Sequence, residues 1–455
     1  MRKSLVVLFS ILPIGLSLCL SVCLAAESSF DLPSVIAYGK EHNPNLRIAQ
    51  RGIQSGQFGI DAARSDLLPK VNFGSGATRF RYPTPLTPIV IEAPRTPSLQ
   101  ALTGFFEDLP DFERTIYDAS ASFTLPLYRG GRIVRNLRIA RTRKALAEDN
   151  YAASLQDLVY NLTSTYHKIL QLQKLLESNR AQVEQLELHK RDVEAFLKAG
   201  TAPRLDFLKT EVDLAHARDG VIAVKNNLEA AFSLLRELMG MDETSPPFSI
   251  VEQSLSRAAY PSDEEAINTA LAKRPDFRAV ARRKKIAEDQ IRVAQGKWLP
   301  DISGTGQYIK RAGDSTTFKE DYYFGVSLTI PVFDGGLIRS EVNADKIELE
   351  KIKEEERAMR LSISRELKDA RIAIDDASDR MSVAEAALES AREALRVEHL
   401  RYETGAGTTT DVIDAQTALL RAETDSFQAA YDREIGFASL KKGMGTLTDG
   451  QEVLK

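Results

Sequence analysis

A length of 455 residues, with 43% hydrophobic and 27% charged side chains, gives an ordered chain of two or three domains and excludes a disordered one. The formal net charge of −4 speaks against nucleic acid as a partner, because phosphate binding needs clustered positive charge. Residues 1–26 read as an export signal: Arg2 and Lys3, an apolar run from Leu5 to Leu24, and small residues for cleavage at Leu24-Ala25-Ala26. Both cysteines, Cys19 and Cys23, lie inside it, so the mature chain is expected to carry no disulfide, no thiolate metal site and no cofactor. Leu20-Ser21-Val22-Cys23 loosely resembles a lipoprotein cleavage box that would put lipid on Cys23. The bulky Val22, where a small residue is usual, favours simple cleavage.

The first repeat, residues 27–241, opens with a helix over about 31–66 that ends near Leu68-Pro69. Two strands follow, over about 70–82 and 116–127. In the second, Tyr117, Ala119, Ala121, Phe123 and Leu125 alternate with Asp118, Ser120, Ser122 and Thr124, giving one apolar and one polar face. Between them Pro83, Pro85, Pro88, Pro94 and Pro97 mark an irregular loop. After Gly130-Gly131 the period becomes helical, with Leu162, Ile169, Leu176 and Val183 at seven-residue intervals. Long helices are predicted over about 132–199 and 203–240, joined by a short turn at Ala199–Pro203.

A linker over 242–262 leads to a second repeat at 263–446, with a tail at 447–455. Asn43-Pro44 matches Arg274-Pro275, and Leu68-Pro69 matches Leu299-Pro300, both at an offset of 231 (275 − 44 and 300 − 69). Thr124–Ile133 matches Thr329–Ile338 at an offset of 205 (329 − 124), which then holds through Met239-Gly240 and Met444-Gly445. The second repeat therefore predicts a helix over about 263–297, strands over about 300–311 and 321–331, and long helices over about 337–404 and 409–444. Leu367, Ile374, Met381, Leu388 and Leu395 form its heptad stripe, and Ala370, Ala377, Ala384 and Ala391 fill companion positions. Each 68-residue run would make a rod of roughly 100 Å. Four strands per chain cannot close a membrane barrel, for which eight is the usual minimum; two chains would supply eight and three would supply twelve.

The duplicated Leu-Pro, the Pro-x-x-x-Gly-Gly after each second strand, the long helix pairs and the turn Tyr402-x-x-Gly405-x-x-x-x-x-Asp411-Val-Ile-Asp414-Ala resemble the TolC-like outer-membrane efflux protein family, the outer membrane factors. The resemblance covers nearly all of the mature chain. It implies a mostly α fold with membrane β: a trimeric twelve-stranded β-barrel, four strands per chain, continued by a long α-helical barrel across the periplasm. It implies a passive export duct, not an enzyme, in the outer membrane. Its partners would be two further copies, outer-membrane lipid, a periplasmic adaptor and the inner-membrane transporter of a tripartite efflux pump or type I secretion system.

By the same resemblance the helix turns form the gate. Asp411 and Asp414 match its acidic ring, Tyr402 its latch tyrosine, and Asp206 that tyrosine's acidic partner; the latch arginine falls on Gly407. Three residues apart, Asp411 and Asp414 share a helix face, and a threefold ring of such carboxylates would favour cations and raise some of their pKa values. Both acids are also placed where Asp stabilises a helix N-terminus. The exposed turns, with Gly200, Thr201, Arg204, Leu205, Gly405, Gly407 and Thr408, are the expected adaptor-docking tips.

His42, His167, His189, His216 and His399 show no metal-ligand spacing and are expected on helix surfaces. Gly74-Ser-Gly76 and Gly304-Thr-Gly306 lack a following Gly-Lys-Thr and read as close strand packing. A periplasmic coiled-coil adaptor or scaffold without a pore is the alternative; it accounts for the helices and leaves the four strands unexplained.

Overall fold

The computed structural model describes residues 28–87, 111–252, 260–314 and 318–449. The expected signal segment with Cys23, the prolines Pro88, Pro94 and Pro97 of the expected loop, and the end of the tail lie outside the described residues. In chain order the elements are β1 (Ser28–Phe30), α1 (Leu32–His42), α2 (Pro44–Ser65), β2 (Lys70–Pro85), β3 (Phe112–Arg129), α3 (Arg132–Lys198) and α4 (Arg204–Met239). Then come β4 (Phe248–Ile250), α5 (Asp263–Lys273), α6 (Pro275–Gln295), β5 (Asp301–Ala312), β6 (Phe318–Thr329), α7 (Leu337–Glu403) and α8 (Thr409–Gly443).

The opening helix of each repeat is two helices, not the one expected over 31–66 and over 263–297. Asn43 and Arg274 turn extended, and Pro44 and Pro275 begin new helices. Proline drives its predecessor out of the α region and fits the first position of a helix. The Asn43 side chain then caps α2 by accepting from the Leu46 amide at 3.0 Å. β1 and β4, unforeseen, form a parallel pair that ties the chain start to the inter-repeat segment.

The long helices are the frame. α3 and α7 each run 67 residues, about 100 Å. Near the strands α3 packs between α2 and α6, and α6 also packs on α7; towards the far end α3 packs between α4 and α8, and α8 also packs on α7. Four helical columns thus stand side by side along the rod. The main core sits at mid-height, where Val35, Leu162, Tyr166, Ile169, Leu235 and Met239 are buried with Phe248 and Ile250. Its counterpart in the second repeat uses Ile363, Leu367, Ile374 and Leu440 with Ala266 and Ala270. Leu367 and Ile374 stand 205 positions after Leu162 and Ile169, so the duplication extends to the packing. The alanine stripe at Ala370, Ala377, Ala384 and Ala391 is buried, as small residues allow where helices approach closely.

Candidate functional site: a two-faced sheet above paired helix tips

Strands β2, β3, β5 and β6 form one antiparallel sheet in the order β2-β3-β5-β6. The register sorts its side chains. Val71 pairs with Phe123, Phe73 with Ala121, Phe123 with Gly306, Gly306 with Phe324 and Gly304 with Val326. Directly paired residues share a face, so these make one apolar surface. The other face carries Asn72, Ser120, Ser122, Thr124, Ser303, Thr305, Gln307, Ser327 and Thr329. The strands run longer or shorter than expected for a local reason: β3 begins at Phe112 because it pairs with Pro85, and β6 stops at Thr329, two residues before Pro331. At Gly306 an added Cβ would lie 2.5 Å from Phe123 and 2.6 Å from Phe324, whose rings close over it 6.2 Å apart. This is the close strand packing its sequence suggested. Phe73, Phe324, Val326 and Leu328 are exposed in the single chain, and among the described residues neither β2 nor β6 has a partner on its outer edge.

The sheet meets the helices through Gly130-Gly131 and Gly335-Gly336. All four have positive φ, between 57° and 87°, which only glycine adopts without strain.

At the far end α3 turns into α4, and α7 into α8. Gly200 and Gly405 take φ of 77° and 75° and end the long helices. Thr201, Arg204, Leu205, Gly405 and Thr408 lie on these turns, and Leu205 exposes 59% of its surface. The structure brings the two tips together: the Lys209 amine donates to the Thr410 hydroxyl at 3.2 Å, and Val193 of α3 packs with Tyr402 of α7 and Val412 of α8. Lys209 is the first-repeat counterpart of Asp414, so the two copies differ in charge where they meet.

Asp411 is committed to its own helix. Its carboxylate accepts from the Thr408 amide at 2.9 Å and the Thr408 hydroxyl at 2.8 Å, while its amide donates to that hydroxyl at 3.2 Å. This capping box, with Arg401 nearby, holds the Asp411 carboxyl below its ordinary pKa. Asp414, one turn on, is exposed. Gly407 packs against Arg401, leaving only 3.1 Å to the Arg401 Cβ for any side chain of its own. The guanidinium of this turn comes instead from Arg401, which pairs with Glu398 at 2.9 Å and donates to the Ala406 carbonyl at 3.3 Å.

Tyr402 is 8% exposed, in a core with Val193 and Val412 against Phe196 and Phe207. Its ring meets that of His189 edge-on, 4.7 Å between centroids. His189 is wholly buried with neither ring nitrogen hydrogen-bonded, and the hydroxyls of Tyr402 and Thr409 are buried beside them without a protein partner of ordinary geometry. Burial pushes Tyr402 up, the neighbouring Thr409 hydroxyl draws it part of the way back, and the charges of Asp206 and Asp192 add to the rise. Asp206 thus acts on Tyr402 through its field and makes no hydrogen bond to it. Burial pulls His189 down to about 4; the nearby His399 lowers it further, and Asp192 and Asp206 partly oppose the shift.

The expectation that all the histidines lie on helix surfaces is corrected here. His189 and His167 are buried, the latter 6.1 Å from the Tyr431 ring and drawn to about 4 by burial. A signal existed for His189: it stands three after Leu186 and four before Val193, the spacing of one buried face.

Among known proteins, the sequence profile of the family described as outer membrane efflux protein matches residues 38–241 and 266–446. The outer membrane protein TolC of Vibrio cholerae is 24% identical over 98% of this chain and 97% of its own length. The pyoverdine export outer membrane protein OpmQ of Pseudomonas putida is 24% identical over 92% of this chain and 87% of its own. Of solved structures, the outer-membrane channel OprN superposes with a TM-score of 0.77 at 20% identity, over 91% of this chain and 90% of that one. A two-faced sheet on a long helical frame, with both halves of the chain matched, leads to one conclusion: this protein belongs to the outer membrane efflux protein family and is an export channel component of the outer membrane.

Proposed function

We propose that three copies join β6 of one chain to β2 of the next, closing a twelve-stranded barrel whose tunnel continues between the long helices across the periplasm. The open edges of the four-stranded sheet carry this reading. An apolar sheet in lipid leaves unpaired backbone groups at each edge, costing several kcal/mol apiece, and four strands cannot curl shut alone. β2 and β6 run antiparallel to each other, so joining them preserves the alternation all round. The helical wall supports it too: its outer columns expose Leu361, Ile372 and Val383 on α7, and Leu205, Leu208, Val212 and Ile222 on α4. A heat-modifiable trimer in the outer-membrane fraction is the expected species. A soluble periplasmic monomer would refute the barrel and restore the scaffold alternative.

The tips would form the periplasmic entrance, receiving cargo from an inner-membrane transporter through a periplasmic adaptor, in a tripartite pump or a type I secretion system. Asp411 and Asp414, two acids per chain, would ring the axis, with Tyr402 and Asp206 setting how the tip packs. Divalent or trivalent cations are expected to block the reconstituted pore from the tip side. Asp411→Ala combined with Asp414→Ala should abolish that block; unchanged block would sink the acidic gate. Because Asp411 serves the helix cap, Asp414→Ala alone should remove most of the block while leaving the fold intact.

A further inference from the structure

Just below the strands, the chain carries a charge imbalance confined to one repeat. Residues 132–144 hold Arg132, Arg135, Arg138, Arg141, Arg143 and Lys144 and no acid. The matching stretch, 337–349, sets Glu341, Asp345 and Glu348 against Arg339 and Lys346. Beside α3, the membrane end of α6 adds Arg292.

The side to which these arginines point follows from two clefts. One joins Lys70 and Thr124, on the polar face of the sheet, to Asn136, Val293 and Lys297 of the helices. The next, a cavity of about 540 Å³, is lined by Asn136, Arg143, Gln290 and Lys297. Asn136 and Gln290 therefore look to the side of the sheet's polar face. Arg138 lies two residues after Asn136, and Arg292 two after Gln290, each about 200° further round its helix. Both look to the side of the apolar face.

There they form a cluster. Arg135, Arg138 and Arg292 surround the single carboxylate of Asp289 at 3.7, 3.7 and 4.0 Å. Asp289 is 3% exposed, whereas the Arg138 and Arg292 side chains are 51% and 54% exposed. One carboxylate cannot neutralise three guanidiniums. The separations exceed the roughly 2.8 Å of a charge-assisted hydrogen bond, so the donors remain free for another anion. One turn towards the membrane from Arg138, on the same face, stands exposed Val134, with exposed Leu127 and Tyr128 beyond it at the end of β3. Apolar surface giving way to arginine within one turn matches the boundary between acyl chains and headgroups.

We propose that Arg135, Arg138 and Arg292 form a binding site for the phosphate of an anionic phospholipid in the periplasm-facing leaflet of the outer membrane. The inference rests on the apolar face of the sheet lying in the bilayer. Guanidinium forks match phosphate oxygens, and Asp289 holds the three in place without using up their donors. α3 and α6 are the inner columns of the four-column wall, so a copy added at either outer column leaves the site open.

The test uses the full-length protein purified in detergent, with phosphatidylglycerol or phosphatidylcholine added and bound lipid counted by native mass spectrometry. The wild type should retain phosphatidylglycerol in preference. Arg138→Ala with Arg292→Ala should weaken that retention about thirtyfold, since each basic residue near a membrane surface contributes about fivefold. Arg143→Ala, on the opposite side of α3, should leave it unchanged. If the double variant does not assemble, Arg292→Gln alone decides, with a loss of about fivefold expected. Equal phosphatidylglycerol retention in variant and wild type overturns the proposal. So does equal retention of both lipids, or displacement of phosphatidylglycerol by millimolar inorganic phosphate, which would mark a free-anion site. A wild type holding neither lipid would count against the bilayer placement of the apolar face itself.

Discussion

His189 shows how a single residue couples the tip to its surroundings. An imidazole sealed between helices without a hydrogen bond is tolerable only when neutral, and its pKa of about 4 expresses that cost. The sign is set by linkage: the unfolded chain takes up its proton near 6.5, the folded one only near 4, so stability is complete above pH 6.5 and falls as the pH drops towards 4. The groups facing it are Asp192 on α3, Asp206 on α4, and Tyr402 and His399 on α7. Thermal melts at pH 7.5 and pH 5 should therefore diverge, by on the order of 2 kcal/mol for this site. His189→Leu should remove about half of the difference, because His167, also held near 4 by burial, contributes comparably; an unaltered pH response would show that His189 is hydrated. Asp411, by contrast, illustrates why residue roles resist reading from sequence. The spacing Thr408-x-x-Asp411 fits a helix cap and an acidic ring equally well, and the cap is the part a single chain displays.

The elements were legible where their pattern is local. Alternation in β3 and β6, and unbroken seven-residue stripes after each Gly-Gly, need only neighbouring residues to be recognised. The register of the sheet adds what alternation alone could not, namely that four separate apolar stripes fall on one face. Gly306 lies at its centre, and Gly306→Val would drive a branched side chain into Phe123 and Phe324. A cost of about 1–3 kcal/mol is expected, seen as lower yield of folded protein in the membrane fraction, with Gly325→Ala, which meets open space, as the tolerated control. What escaped the sequence was non-local or masked by continuity. The three-residue strands β1 and β4 pair across 220 positions, too short and too distant to leave a pattern. The breaks before Pro44 and Pro275 were hidden because helical residues continue on both sides of each proline. The burial of His167 and His189 depends on α8 and α7 arriving from the other repeat.

At the scale of the whole molecule, the sheet and tips face different worlds and should fail independently. Leu205→Glu with Arg204→Glu alters exposed tip positions far from the sheet. Export in cells is expected to fall at least tenfold, while heat-modifiable oligomers persist at wild-type level. Joint loss of export and assembly would show that the tips hold the wall together instead of receiving a partner. The relatives name different cargoes, pyoverdine for OpmQ of Pseudomonas putida and alkaline protease for AprF of Pseudomonas aeruginosa, on chains matched along most of their length.

The equal length of α3 and α7 has an evolutionary consequence. Both start at a Gly-Gly and end at a glycine turn, 205 positions apart at each end. Like two rails of one ladder, they can be shortened or lengthened only together: seven residues lost from one would throw every rung below the cut out of step. A rod of another height would need matching changes in both halves of the gene. The height of the rod is thus written twice in the same chain, and each copy checks the other.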